Sequence, residues 1–120
     1  MGNSSIIGAW GEVRAAEYLR KKRYRLLGRN YTVRGGEIDL IAEKGGFVVF
    51  AEVKLRKSAD FAQAREFVDA RKRERLTAAA QLWLAGNDCA LQPRFDVIEV
   101  YAPRGADSET LRINHIENAF

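Results

Sequence analysis

Residues 36–54, GEIDLIAEKGGFVVFAEVK, decide the fold, because they contain two strands joined by a turn of two glycines. Gly45-Gly46 favours a two-residue hairpin, since glycine takes positive φ at both turn positions at little cost. The resulting partners are Lys44 with Phe47, Asp39 with Glu52, and Glu37 with Lys54. A four-residue loop would shift the partners by one pair and keep Asp39, Glu52 and Lys54 on one face. A three-residue loop would move Asp39 to the other face.

The acidic residues of this hairpin bring like charges together. Strand side chains alternate, so Glu37 and Asp39 share a face, and Asp39 faces Glu52 across the pair. Opposed carboxylates destabilise a sheet and raise one another's pKa unless a positive charge lies between them. Mg²⁺ or Mn²⁺ would supply that charge, and Lys54 could hold a water or a phosphate oxygen. This combination suits phosphodiester hydrolysis.

The same residues also fit a ladder of salt bridges on a solvated face. Against this alternative, the uncharged run Phe47–Ala51 leads directly into Glu52. Such a run predicts a strand that is buried on both faces. Charges at the end of a buried strand are costly and tend to mark function, so the pattern favours a metal site.

Composition limits the class of protein. The chain has 120 residues and is 47% hydrophobic, which fits one folded domain over residues 1–120. Its net charge of +4 favours an anionic partner, with nucleic acid as the leading candidate and a basic protein without such a partner as the alternative. The single cysteine, Cys89, is typical of a cytoplasmic protein. No apolar stretch is long enough to span a bilayer, so no membrane contact is expected.

A first helix is predicted from residue 4 or 5 to residue 20 or 22, and it ends in a basic cluster. Glu12, Ala16 and Leu19 follow at i, i+4 and i+7, which places Glu12 on the apolar stripe. Glu12 would then point inward and reach the hairpin acids as a further metal ligand. Alternatively, it is a first-turn acid at the positive end of the helix dipole or an i,i+4 partner of a neighbour. The residues leave both interpretations open.

The remaining elements complete a mixed α/β order of helix, three strands, helix and two strands. They are extended pieces at Tyr24 to Leu27 and Asn30 to Val33 with a bend at Gly28, a polar loop from Arg56 to Asp60, a helix from Gln63 to Ala85, a strand from Arg94 to Tyr101, a loop from Pro103 to Thr110 and a last strand from Leu111 to Ile116. The buried side of the second helix is predicted to contain Phe67, Leu76, Ala79, Ala80 and Trp83. The strand from Arg94 is predicted to alternate, with Phe95, Val97 and Val100 toward the core.

Basic residues concentrate in the middle of the second helix. A charge run on a helix is usually a solvated face, and neighbouring acids partly neutralise this one. A phosphate-binding stripe is the sharper alternative. Loops beside a site often contact substrate, which adds Arg56, the first residue of the predicted loop that follows Lys54. The candidate nucleic-acid contacts are Lys72, Arg73, Arg75 and Arg56.

Several blocks resemble the YraN family of uncharacterised bacterial proteins, over nearly the whole chain. They are Gly8, Gly11-Glu12, Ala16, Tyr18-Leu19, Arg29-Asn30, Gly36 to Ile41, Phe50, Glu52-Val53-Lys54, Arg56, Lys72, Arg75-Leu76, Arg94 to Val97 and the tail from Ile116 to Phe120. That family resembles the restriction-endonuclease-like (PD-(D/E)XK) nucleases and the Holliday junction resolvases. Ile38 stands where the superfamily has its proline, and Lys22-Arg23 stands where a glycine commonly precedes the aromatic Tyr24.

The resemblance implies a fold and a division of roles. The fold would be a restriction-endonuclease-like three-layer arrangement, with a central mixed five-stranded sheet flanked by helices. Asp39 and Glu52 would hold one or two Mg²⁺ ions, and Glu12 would ligate the metal directly or through water. Lys54 would orient the attacking water, Lys72 would contact a phosphate, and Glu37 would support the site.

Two functions from different classes follow. The first is a metal-dependent endonuclease that cuts DNA, including branched, Holliday-junction-like structures. The second is a nucleic-acid-binding or protein-interaction module that uses a nuclease-like scaffold without cutting, since a fold does not fix a function. A resolvase-like role would suit a two-fold homodimer, which no pattern in the sequence demands.

Overall fold

The computed structural model describes residues 2–56, 70–104 and 112–120, with side chains from residue 8 onward. Its elements are α1 (Gly2–Lys21), β1 (Arg25–Val33), β2 (Gly36–Lys44), β3 (Phe47–Arg56), α2 (Ala70–Gly86), β4 (Gln92–Tyr101) and β5 (Arg112–Ile116). The predicted loop after Arg56, the first turns of the second predicted helix with Phe67, and most of the loop from Pro103 lie outside the described residues. No helix in the described part of the chain is long and apolar enough to cross a membrane.

The five strands form one sheet in the order β1-β2-β3-β4-β5. β3 and β4 are parallel, and the other three neighbouring pairs are antiparallel. Parallel neighbours need a crossover connection, and α2 lies within the segment that joins β3 to β4. The predicted mixed five-stranded sheet is therefore confirmed.

A helix covers each face of this sheet. Leu19 of α1 packs in one apolar cluster with Val49 of β3. Trp83 of α2 packs in the other cluster with Phe50 of β3. Because consecutive strand residues point to opposite faces, α1 and α2 lie on different sides, in an α/β arrangement compatible with three layers. The predicted buried residues of the second helix that the structure describes are Leu76, Ala79, Ala80 and Trp83, and all four are buried.

The predicted hairpin register is confirmed at the turn. Lys44 pairs with Phe47, and Gly45 and Gly46 have φ of 59° and 87°. Both glycines take the left-handed conformation that a two-residue hairpin with this twist requires. The local chemistry of the turn therefore fixes the pairing of β2 with β3.

Two predictions about strands need correction. The two extended pieces before Gly35 form a single strand, β1, with a register irregularity between Leu26 and Gly28 in place of a bend. β4 does not alternate between buried and exposed residues, because every residue from Asp96 to Tyr101 is buried. β4 lies between β3 and β5, and strands inside a sheet covered on both faces lose their alternation.

A buried network fastens the end of the chain to β4. Asp96 is fully buried and accepts two hydrogen bonds from Arg94, at 2.9 and 2.8 Å, and one from the Asn118 N–H at 3.0 Å. His115 Nε2 lies 2.6 Å from Asp96 Oδ2, and His115 Nδ1 lies 3.1 Å from the hydroxyl of Tyr18 in α1. Burial raises the pKa of Asp96, but these hydrogen bonds outweigh burial and hold the pKa below its usual value.

Asp96→Asn is expected to lower the free energy of unfolding at pH 7 by about 3 kcal/mol, because it removes one charge from a buried pair with Arg94. The folded protein keeps Asp96 ionised at a lower pH than the unfolded chain does. The stabilisation is therefore present above about pH 4 and decreases as the pH falls further. Urea unfolding of parent and variant from pH 7 to pH 3 measures the difference, and a difference that stays constant would contradict the assignment.

Gly36 marks the closest approach of α2 to β2. A Cβ atom built on Gly36 collides with the backbone carbonyl oxygen of Arg75 and lies 3.2 Å from the Cβ of Ala79. A backbone atom within a helix cannot move aside as a flexible side-chain tip can. Only glycine therefore allows α2 to pack this closely beside the acidic residues that follow Gly36.

Gly36→Ala is expected to lower the free energy of unfolding by about 1–3 kcal/mol, because the added methyl group overpacks this contact. Gly8→Ala is the matched control. A Cβ on Gly8 meets no atom within 4 Å, and alanine in a helix gains up to about 1 kcal/mol over glycine. Denaturant unfolding of both variants measures the effect, and equal changes would contradict the steric account.

Candidate functional site

The backbone ladder between β2 and β3 ends where the acids begin. Leu40 and Ala51 are its last partners within residues 36–56, all of which the structure describes. The pairs predicted next, Asp39 with Glu52 and Glu37 with Lys54, do not form. Instead, Asp39 Oδ2 accepts a hydrogen bond of 2.8 Å from the Val53 N–H. A side-chain carboxylate thus takes the place of a backbone carbonyl at the point where the two strands stop pairing.

The pKa of Asp39 is raised to about 7. Burial is the largest cause, and the negative charges of Glu52, Glu12 and Glu37 add to it, while the hydrogen bond from Val53 lowers the pKa. Asp39 is therefore about half protonated at neutral pH. A cation that binds this carboxylate must displace a proton, so its affinity must depend on pH.

Glu12 approaches Asp39 from α1. It lies in the middle of the helix and away from the first turn, near Asp39 and the side chain of Asn30. Burial raises the pKa of Glu12, while the interactions with Asn30 and Asp39 and the charge of Arg29 lower it in part. A cation between Glu12 and Asp39 would relieve the repulsion between the two carboxylates.

Glu52 and Lys54 form an ion pair on the side of the sheet that α2 covers. Lys54 Nζ lies 3.5 Å from Glu52 Oε1, and each side chain is 17% exposed. Val53 and Leu55 pack against the α1 cluster, so the alternating Glu52 and Lys54 point the other way. Burial and the neighbouring Lys72 of α2 lower the pKa of Lys54, whereas Glu52 raises it.

The donor chemistry of these residues fits a hard divalent cation. Asp39, Glu52 and Glu12 offer carboxylate oxygens, and their mutual repulsion would be relieved by a positive charge. Glu37 is exposed and adds a negative charge near Asp39 and Glu12. Within the described part of the chain, no three Asp, Glu, His or Cys side chains form a closed group for one metal ion. Glu12 and Glu52 are both close enough to Asp39 for their charges to raise its pKa.

The basic residues predicted to contact nucleic acid have different surroundings. Arg56 is the last residue of β3, and its side chain is 10% exposed and lies 3.2 Å from the carboxylate of buried Glu99. Its position is that of a structural ion pair. Arg73 of α2 lies with its guanidinium 5.4 Å from the ring centroid of Phe120. The exposed basic residues of α2 are Arg71, Lys72, Arg73 and Arg75.

The structure adds Arg29 and Asn30 to the site, neither of which the sequence patterns singled out as site residues. Asn30 has a φ of 50°, and asparagine is among the few residues that adopt this left-handed conformation readily. Asparagine is also depleted in strands, so its presence within an extended segment was the available signal. Asn30 lies on β1 near Glu12, and their interaction lowers the pKa of Glu12.

Comparison with known proteins identifies relatives along nearly the whole chain. The profile of the uncharacterised protein family UPF0102 matches residues 11–100. A UPF0102 protein of Caldanaerobacter subterraneus subsp. tengcongensis is 43% identical over 120 residues, covering 98% of this chain and 97% of its own. One from Symbiobacterium thermophilum is 45% identical over 118 residues, covering 98% of each chain. One from Flavobacterium psychrophilum is 38% identical over 120 residues, covering 100% of this chain and 98% of its own.

The raised pKa of Asp39 predicts a stability change with pH in metal-free protein. Between the usual pKa of 3.8 and the folded value of about 7, the unfolded chain loses this proton before the folded protein does. The parent should therefore lose up to about 4 kcal/mol relative to Asp39→Asn as the pH rises through this window. Asparagine can still accept the Val53 hydrogen bond.

Urea unfolding of both proteins in EDTA, at steps from pH 4.5 to pH 8, measures this difference. Asp88→Asn, at an exposed aspartate, is the matched control and should show no such trend. A stability difference between the parent and Asp39→Asn that does not change with pH would contradict the burial of an ionisable Asp39.

Proposed function

The chain belongs to the uncharacterised protein family UPF0102, also named YraN, and we propose that it is an endonuclease that uses Mg²⁺ or Mn²⁺ to hydrolyse DNA phosphodiester bonds. The observation that supports this most strongly is the environment of Asp39. Its carboxyl group is largely buried, accepts the Val53 N–H, and has Glu12 and Glu52 as negative neighbours. Clustered acids of this kind destabilise a metal-free protein, and perturbed acids concentrate at functional sites.

Asp39, Glu52 and Glu12 are the residues that would hold the cation. Their carboxylate oxygens are the ligands that Mg²⁺ and Mn²⁺ prefer. A bound cation would act as a Lewis acid toward the phosphate and lower the pKa of a water molecule. Glu37 adds to the negative potential from an exposed position, which favours the arrival of a cation.

Lys54 would hold the attacking water and offset charge on the phosphate. Its pairing with Glu52 fixes the ammonium group beside the metal-binding acids. Burial lowers the pKa of Lys54, which brings it closer to the range in which a lysine exchanges protons with water. Lys72 adds a second positive charge near Lys54, where a phosphate oxygen of the substrate would lie.

The arrangement of the sheet and the two helices is compatible with this proposal. A mixed sheet with one helix on each face carries the acids on adjacent strands, as the restriction-endonuclease-like arrangement would require. We extend the proposal to branched DNA as a substrate and to a homodimer as the active form, since two-fold symmetry would present two sites to matching strands.

Asp39→Asn and Glu52→Gln are expected to abolish both metal binding and cleavage. In the parent, Mg²⁺ or Mn²⁺ should raise the melting temperature in a concentration-dependent way, because a ligand of the folded state stabilises it. Neither variant should respond. Cleavage of linear, nicked and four-way-junction DNA should fall at least about 100-fold in both variants and in Lys54→Ala.

Asp88→Asn serves again as the control and should bind metal and cut as the parent does. Parent-like cleavage by Asp39→Asn and Glu52→Gln would contradict the assignment of the site. DNA binding by the parent without cleavage of any of these substrates would instead support a non-catalytic nucleic-acid-binding module.

A further inference from the structure

One end of the molecule is strongly basic, and the proposed catalytic chemistry does not use it. α1 ends, β1 begins and the β2–β3 hairpin turns at this end. The exposed basic residues there are Arg20, Lys21, Lys22, Arg23, Arg25 and Lys44, and together they form the basic end. Glu43 pairs with Arg25 at 3.1 Å. Within the described chain, Arg20, Lys21 and Arg23 have no carboxylate at ion-pair distance.

The three segments of the basic end are in contact. The ammonium group of Lys44 donates a hydrogen bond to the backbone carbonyl of Lys22. It also lies 5.0 Å from the ring centroid of Tyr24, and Lys22 Nζ lies 5.9 Å from that of Tyr18. Each of these two cations thus lies over an aromatic ring of its own. The hydrogen bond from Lys44 to Lys22 brings the β2–β3 turn against the end of α1.

Arg23 occupies a position that favours glycine. It has a φ of 72° at the end of α1, where the Tyr24 N–H bonds the Leu19 carbonyl at 2.9 Å. Helices commonly end on a left-handed residue of this kind, and glycine takes that conformation without the Cβ penalty of about 1–2 kcal/mol. The helix dipole accounts for basic residues in the last turn but gives no advantage to a strained arginine. The exposed guanidinium group is therefore the feature that the fold does not explain.

The basic end and the acids lie at a fixed separation along the same elements. Lys22, directly after α1, lies ten positions beyond Glu12, which is about 15 Å at 1.5 Å per residue. Lys44 lies five positions beyond Asp39 on β2, which is about 17 Å. Successive phosphates of each strand of duplex DNA advance by about 3.4 Å along the helix axis. Measured along that axis, the separation therefore corresponds to about five nucleotides.

We propose that the basic end is a second contact surface for the phosphate backbone of DNA, about five nucleotides from the bond at the acidic site. The location of the cut rests on the proposed function, whereas binding at the basic end does not. An anionic membrane surface is a weaker fit, because surface binding to lipid also uses exposed apolar side chains. The large exposed hydrophobic residues in the described chain are Leu82 and Ile116, and neither lies at the basic end.

Arg23→Gly is expected to raise the melting temperature and to weaken DNA binding at once. Glycine relieves the left-handed strain, while loss of the guanidinium removes one phosphate contact. The dissociation constant should rise about 3- to 10-fold near 0.1 M salt, and the slope of log K against log salt should decrease by about one. A gain in stability together with a loss of affinity excludes unfolding as the cause.

Fluorescence anisotropy with a labelled 20-base-pair duplex in EDTA, from 50 to 300 mM NaCl, measures binding without cleavage. Arg112→Gln, on β5 at the other edge of the sheet, removes the same net charge and should bind almost as the parent does. Lys44→Gln should weaken binding as Arg23→Gly does. Parent-like affinity and salt slope in Arg23→Gly would overturn the proposal, as would an equal loss in Arg112→Gln.

Two further measurements distinguish this proposal from membrane binding and from the proposed nuclease activity. Vesicles with 30% anionic lipid should bind the parent less tightly than DNA does, and tighter vesicle binding that depends on Arg23 would overturn the proposal in favour of a membrane surface. Binding through the basic end without cleavage in Mg²⁺ or Mn²⁺ would support the contact surface while the nuclease proposal fails. Cleavage by the parent, together with unchanged DNA affinity in Arg23→Gly, would support the nuclease proposal while the proposed contact surface fails.

Discussion

The hydrogen bond from the Val53 N–H to Asp39 is the contact on which the arrangement of the site depends. β3 stops pairing with β2 at Ala51 but remains paired with β4 as far as Arg56. A backbone N–H that loses its partner in a largely buried position costs about 1–3 kcal/mol. The carboxylate of Asp39 supplies a strong acceptor there. Asp39 thus satisfies this N–H group and also brings a negative charge into a largely buried position.

The proposed site has two halves, one on each side of the sheet. Asp39 and Glu12 lie near one another on the side of α1, whereas Glu52 and Lys54 form an ion pair on the side of α2. Asp39 connects the halves, because Glu52 is among the charges that raise its pKa. A cation that replaces the proton of Asp39 would bind both halves. Metal binding, proton release and the local stability of the β2–β3 junction are therefore one linked equilibrium.

The parts of the fold that local chemistry decides could be predicted from the sequence. Gly45-Gly46 specifies its own turn type, so the hairpin register followed from two residues. The end of the ladder could not be predicted, because nothing in the hairpin sequence marks the point at which the side chain of Asp39 takes the place of a backbone partner. One partner of Arg56, Glu99 on β4, lies 43 positions away along the chain and could not be found from local patterns.

Asp96 shows a second limit of pattern reasoning. In an alternating strand, its neighbours Phe95 and Val97 would face the core and Asp96 would face water. β4 is instead covered on both sides, so Asp96 is fully buried and organises the tail through Arg94 and His115. Alternation cannot identify such a strand, because the residues that cover its second face come from α1 and the end of the chain. Among the proposed functional acids, Glu52 was easier to find than this structural one, since it directly follows an uncharged run.

Acidic and basic residues are separated along α1 and along β2. Glu12 in the middle of α1 is followed by cations at the end of the helix, and Asp39 of β2 is followed by Lys44 at the end of the strand. A phosphate backbone is therefore attracted to the basic end and repelled at Asp39 and Glu12. A divalent cation bound to the acids would make the local electrostatic potential positive. The surface from the acids to the basic end would then attract phosphates along its whole length. Affinity for a long polyanion would then rise when metal binds, and by reciprocity the polyanion would strengthen metal binding. Two charge clusters of opposite sign on shared elements thus provide a physical basis for coupling metal binding to substrate binding.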